Sequence, residues 1–171
     1  MLFRSLQFSR PTEYVGYLEP IALDALVQDG LLLVGHLLRR TSIAVTQQLD
    51  SSRLVVGNKG ELQQVLINLL VNAIQAMPEG GVLTLSSEDW DEAGMPIGVR
   101  LSVSDTGPGI PPAHLDKLFQ PFFTADKADG NGLGLWVSQG IVERYGGNLT
   151  AANRPEGGSC FTVWLRLEAL G

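Results

Sequence analysis

The chain has 171 residues, of which 44% are hydrophobic and 18% charged, a balance that supports one ordinary domain with its own core and excludes an intrinsically disordered chain. Its net charge of −6 disfavours a nucleic-acid surface for the chain as a whole, and its single cysteine, Cys160, excludes an internal disulfide and fits a reducing compartment. The longest apolar run, "GLLLVGHLL" at 30–38, is too short to cross a bilayer, and the first residues lack the apolar stretch of a secretory signal. The expectation is a cytoplasmic domain, with a membrane-anchored parent protein left open.

In chain order, Pro11 stops any helix before it, because proline lacks an N–H and clashes one turn back. Residues 1–10 therefore read as a helix tail and 11–20 as a linker. "PIAL" (20–23) reads as a short edge strand. The spacing of apolar residues predicts a helix over 24–40, with Asp24 as N-cap and Arg39 and Arg40 at the negative C-terminal end. Strands follow at 42–49 and 53–57.

The clearest helix runs from Glu61 to Met77. Its apolar face is Leu62, Val65, Leu66, Leu69, Leu70, Ala73 and Ile74, and Pro78 follows its end. Strands at 81–88 and 97–105 flank an expected loop at 89–96. A short helix at 111–119 starts on proline, and a longer one at 132–147 opens on glycine and closes on Gly146-Gly147. Alternation at 148–153 and 158–167 predicts a final hairpin. Helices and strands are mixed, and the late strands are adjacent. That pattern predicts an α+β, two-layer α/β sandwich: one mixed, mostly antiparallel sheet covered on one face by helices.

Three polar features interrupt this framework. Asn68 and Asn72 are four residues apart, so both amides leave the same side of one helix. Asparagine is a poor helix-interior residue. The pair is either a set of surface amides or a polar edge that meets a metal and phosphates, since an amide oxygen is a neutral ligand suited to Mg²⁺. Next, "DTGPG" places Asp105 at a strand end with Gly107 and Gly109 behind it. Such a carboxylate can accept a hydrogen bond from an exocyclic amine, and glycines let a flat base approach the backbone. Taken singly, the stretch is as well read as a turn.

The third feature is "DGNGLGL" (129–135), which leads into a helix whose N-terminal amides favour phosphate. It is neither a dinucleotide fingerprint nor a P-loop, lacking the preceding strand of one and the Lys-Ser or Lys-Thr of the other. Between the glycine segments lie Phe119, Phe122 and Phe123. A lid folding over a nucleotide would account for the aromatics and the flanking glycines, and core anchoring is the plainer alternative. Thr124 and Lys127 would then lie near the phosphates, unless Lys127 is merely solvated.

In combination, these segments resemble the ATP-binding catalytic domain of sensor histidine kinases, within the superfamily that includes gyrase, the heat-shock 90 chaperones and the mismatch-repair ATPases. "ELQQVLINLLVNAIQAM" is similar to the N box, "DTGPGI" to the first glycine box, "FQPFFT" to the F box and "GNGLGL" to the second glycine box. The resemblance is nearest to the nitrogen-regulation branch and covers about residues 18–167.

The resemblance implies a Bergerat-type ATP-binding fold over 18–171, preceded at 1–17 by the tail of a dimerisation helix and a linker. It implies that Asn72 binds Mg²⁺ and that Asn68 helps hold the metal–phosphate assembly. Asp105 would receive the adenine amine, with Gly107, Gly109 and Ile110 beside the ring and Phe119 in the lid. Thr124 and Lys127 would face the phosphates, and Gly132, Leu133, Gly134 and Leu135 would offer them backbone amides. Thr162 would lie near the adenine. Gln75 stands where many relatives carry a basic residue, and Ala76 where many carry an aromatic.

In the gyrase-like relatives a glutamate that activates water stands at the position of Asn68. An amide cannot accept a proton at neutral pH, so slow hydrolysis is expected. The implied activity is transfer of the ATP γ-phosphoryl group to a histidine on a dimerisation domain outside this chain, and onward to a response regulator. His36 and His114 are expected to be structural or surface residues, so no catalytic residue of that kind is expected here. The domain itself would be monomeric and its parent a homodimer. A nucleotide-responsive regulator that transfers nothing is the rival reading.

Overall fold

The computed structural model describes residues 17–123 and 134–167. Its helical layer is centred on α3 (Lys59–Gln75), whose apolar positions recur at helical spacing. All seven residues of the expected apolar face are buried. Asn58 caps the helix, its side-chain oxygen accepting from the Glu61 amide at 2.9 Å. On one side of α3 packs α1 (Leu23–Leu33), and on the other α5 (Gly134–Arg144).

The sheet beneath contains β2 (Ile43–Leu49), β4 (Gly81–Glu92), β5 (Met95–Ser104), β6 (Asn148–Asn153) and β7 (Ser159–Arg166), in the order β2-β4-β5-β7-β6. β2 runs parallel to β4, and the other pairs are antiparallel. Alternation sends Leu83, Leu85, Val99, Leu101, Val103, Leu149, Phe161, Val163 and Leu165 into the core. The opposite face carries Ser86, Ser102, Thr162 and Thr150 in register. The α+β sandwich expected from the sequence is therefore the architecture observed.

Several boundaries differ. β1 (Glu19–Ala22) pairs with β3 (Leu54–Gly57) in a separate two-stranded antiparallel sheet. The helix expected over 24–40 divides into α1 and the one-turn α2 (Gly35–Leu38), parting at Val34 (φ −97, ψ 8). Gly35 is a weak helix former, and Val34 turns into the core there. Ala22 holds the N-cap position, so Asp24 falls within the first turn.

The loop expected at 89–96 is mostly strand. β4 and β5 continue to a tight turn at Ala93 (φ 50) and Gly94 (φ 77). Two consecutive left-handed residues match the twist of a hairpin. Over 111–119 the helix shrinks to one turn, α4 (Pro112–Leu115), because successive turns replace it. Residues 1–10, the greater part of the linker, and 132–133 lie outside the described residues.

Candidate functional site

Glu61 and Asn68 lie on the side of α3 that faces α5, Asn72 follows one turn after Asn68, and Gln75 is exposed near the end of the helix. The two helices run antiparallel, as their polar contacts show. At one end Asn68 Nδ2 donates to Ser138 Oγ at 2.9 Å and to the Gly134 carbonyl at 3.3 Å. At the other, Arg144 and Tyr145 both donate to the Glu61 carboxylate, the tyrosine at 2.5 Å. Burial, then the Glu61 hydrogen bond, pushes the Tyr145 phenol up. Burial works to lower the Arg144 guanidinium, but the bond and charge of Glu61 outweigh it and hold it above its ordinary value. Among the described residues the half-buried Asn72 amide has no hydrogen-bond partner, so it can serve a ligand.

A second wall forms at the end of β5. Asp105 is 1% exposed, and a carboxylate so placed needs partners. Ser159 Oγ donates to Oδ2 at 2.8 Å, and the amides of Gly107 and Ser159 donate to Oδ1 at 2.9 and 3.3 Å. Arg154 donates to the Asp105 carbonyl at 3.0 Å. Gly158 (φ +90) passes so close that a Cβ would lie 1.9 Å from that same oxygen. Gly107 has a structural reason of its own, because a Cβ there would lie 2.5 Å from the Ala76 carbonyl at the end of α3.

Gly109 is left-handed (φ +83) beside Asn153. The Asn153 amide clasps Ile110 by both polar atoms, accepting from its N–H at 2.7 Å and donating to its carbonyl at 2.8 Å. This pair ties the glycine loop to β6.

The phenylalanines divide their work. Phe119 packs edge-on against Phe161 at 6.4 Å between ring centroids, and Phe123 against His114 at 5.3 Å. Both anchor the loop. Phe122 is 64% exposed and left-handed (φ 67), an unusual conformation for a bulky residue. Thr124, Lys127, Gly132 and Leu133 lie outside the described residues. Gly134 is exposed at the start of α5, and Leu135 packs against the core.

Thr162 requires a correction. It lies on the outer face of β7, where its hydroxyl is 3.2 Å from Ser102 Oγ. Side chains alternate along a strand, so a residue three after Ser159 points to the other face from the Asp105 pocket. Ser159, not Thr162, is the hydroxyl residue of β7 that touches Asp105. A small hydroxyl residue directly after "PEGG" at the start of the last strand was the available signal. Asn153 was likewise missed, since one asparagine at a strand end reads as turn chemistry.

The chain and its fold are matched by known proteins. Residues 57–169 match the model of the family described as histidine kinase-, DNA gyrase B-, and HSP90-like ATPase. The chain belongs to that family. It is similar to the sensor histidine kinase ZraS of Escherichia coli (strain K12), at 38% identity over 162 residues, covering 94% of this chain and 33% of that protein. It thus spans about a third of the length of that relative. The solved catalytic domain of histidine kinase ThkA matches with a TM-score of 0.77 at 31% identity, covering 88% of this chain and 98% of that one. ThkA in complex with response regulator protein TrrA matches at 0.74 and 31%, covering 88% of this chain and 42% of that one. The fold is therefore that of the histidine kinase catalytic domains, and membership implies nucleotide use. Among the described residues, no helix is long and apolar enough to cross a membrane.

Proposed function

We propose that this ATPase-family domain binds Mg²⁺–ATP and donates the γ-phosphoryl group to a histidine on a dimerisation domain of its parent protein, for onward transfer to a response regulator. The parent works as a homodimer in the cytoplasm or anchored at a membrane, and the isolated domain is a monomer. Residues 1–17 are assigned to the dimerisation helix and linker, and 18–171 to the catalytic domain. The observation that carries this reading is the buried Asp105 carboxylate, fixed in place by Ser159 and Gly107.

Asp105 accepts from the exocyclic amine of adenine, and its own donors hold it in place for that bond. Gly109, Ile110 and Phe119 border the ring, and Thr124, Lys127, Gly132, Leu133, Gly134 and Leu135 are assigned to the phosphates, with Gly134 at the helix N-terminus. Among the described residues there is no cluster of three His, Cys, Asp or Glu able to hold a metal. The amide oxygens of Asn68 and Asn72 are neutral donors that fit Mg²⁺ delivered with the nucleotide, which keeps several waters and takes few protein ligands. Asn72 would hold it through its amide oxygen, with Asn68 beside it, and the ion would neutralise phosphate charge.

Transfer forms a bond from an imidazole nitrogen to the γ-phosphorus and breaks the bond to the bridging oxygen, releasing ADP. The domain contributes positioning and charge neutralisation. Asn68 cannot take a proton from water, so hydrolysis is slow. His36 is exposed on α2 and His114 packs on Phe123, and neither is the acceptor in this reading.

The test is calorimetric titration with ATP, with and without Mg²⁺, followed by mixing with a histidine-bearing helical hairpin and labelled ATP. Magnesium-dependent binding that Asn72→Ala abolishes, with acid-labile label on the hairpin, is the expected result. Binding without any label transfer would favour a nucleotide-responsive regulator instead.

A further inference from the structure

Ser138 is 0% exposed, one turn into α5, and it is one of the few buried polar side chains among the described residues. It is absent from the motifs read in the sequence. Its hydroxyl faces Asn68, a residue that the proposed function places beside the magnesium–phosphate assembly.

A side-chain amide has two orientations of nearly equal shape, and its hydrogen bonds decide between them. Here Nδ2 meets two acceptors on α5, Ser138 Oγ at 2.9 Å and the Gly134 carbonyl at 3.3 Å. A flipped amide would set Oδ1 against the Gly134 carbonyl, oxygen to oxygen, with no proton between them. The donor end of Asn68 is therefore consumed by α5, and its oxygen is the end left to meet a ligand beside Asn72.

We propose that Ser138 is a positioning residue that fixes Asn68 with its amide oxygen toward the nucleotide. This rests on the magnesium–ATP reading and deepens it. A phosphate oxygen gains nothing from an acceptor, whereas a water bound to a divalent cation donates to one. Asn68 thus recognises the hydrated cation rather than the phosphate, and the orientation exists before nucleotide arrives.

The experiment measures affinity for ATP with and without Mg²⁺, and for adenosine, in the full chain and in Ser138→Ala and Ser138→Thr. Alanine removes the acceptor with little change of volume. It is expected to cut the magnesium enhancement of ATP affinity by about fivefold, the worth of one typical hydrogen bond. Adenosine affinity stays unchanged, and threonine retains the enhancement. An unaltered magnesium enhancement in Ser138→Ala overturns the inference. So does an equal loss for ATP and adenosine, which marks a merely structural role.

If the variants do not fold, NMR of the wild type decides. The Asn68 side-chain NH₂ should be protected from exchange in the free protein and remain so with Mg²⁺–ATP. Exposure in either state overturns the inference. A wild type that binds adenosine but shows no magnesium enhancement instead fells the functional reading, while the protection of the free Asn68 amide still reports on its contact with Ser138.

Discussion

Ser159 donates its hydroxyl hydrogen to the Asp105 carboxylate at 2.8 Å, joining the first residue of β7 to the residue that follows β5. The two strands are paired neighbours, and their ladder continues past its end through the Asp105 amide, which donates to the Ser159 carbonyl at 2.9 Å. Asp105 is thus oriented by the same β5–β7 pairing that builds the sheet.

Ser159→Ala should leave one buried carboxylate oxygen without its donor. The expected cost is about 1–3 kcal/mol of stability, with a loss of adenine-nucleotide affinity of about tenfold. Thr162→Val should change that affinity less than about twofold, because its side chain lies beside Ser102 on the face of β7 away from Asp105. Calorimetric titration of both variants checks the pair, and the reverse ranking would restore Thr162 to the site.

Glu61 and Arg144 have side chains 13% and 10% exposed. Glu61→Ala strands a nearly buried guanidinium, two of whose nitrogens, Nε and Nη1, are already without partners. The expected loss is about 3 kcal/mol, whereas replacing both residues with leucine should cost less, since no unpaired charge remains. Urea unfolding of the single and double variants gives the comparison.

Asn153→Ala removes both hydrogen bonds to Ile110. The glycine loop should lose exchange protection at Ile110 while the core strands keep theirs. Global stability should fall by about 1 kcal/mol. Amide hydrogen exchange of wild type and variant reads both effects.

Gly158→Ala introduces a methyl at a left-handed residue, 1.9 Å from the Asp105 carbonyl. The end of β7 must then move away from Asp105. Nucleotide binding should be lost, and the melting temperature should drop. Substitution at Gly94, whose Cβ would meet open space, should cost stability only through its left-handed backbone and leave binding intact.

The amide and then the hydroxyl of Ser52 hold the Asp89 carboxyl below its usual 3.8, with Arg53 adding its charge. A folded-state value below the unfolded one means that the contribution is present above the unfolded pKa. It is lost as pH falls from about 3.8 through the folded value. Asp89→Asn should therefore narrow the difference in stability between pH 7 and pH 3, as thermal unfolding at the two values will show.

Periodicity alone carried the layer order. The buried stripe of α3 and the alternation of β7 were legible because burial imposes a spacing that side chains must follow. The breaks were less legible. Val34 parts α1 from α2, and Ala93-Gly94 reverse the chain where a loop of eight residues was expected, 89–96. Both depend on how neighbouring elements dock, a cost or gain that a local window does not contain.

By itself the sequence singled out Asn68, Asn72, Asp105 and the glycines as candidates, since few residue types supply a neutral oxygen ligand, a buried carboxylate or a close backbone approach. Tertiary structure decided the partners: Ser159 rather than Thr162 for Asp105, Ser138 for Asn68, Asn153 for Ile110. Each joins residues far apart in the chain. Such a bond exists only after strands have registered and helices have packed, so its free energy belongs to the assembled fold and leaves no spacing in the chain to read.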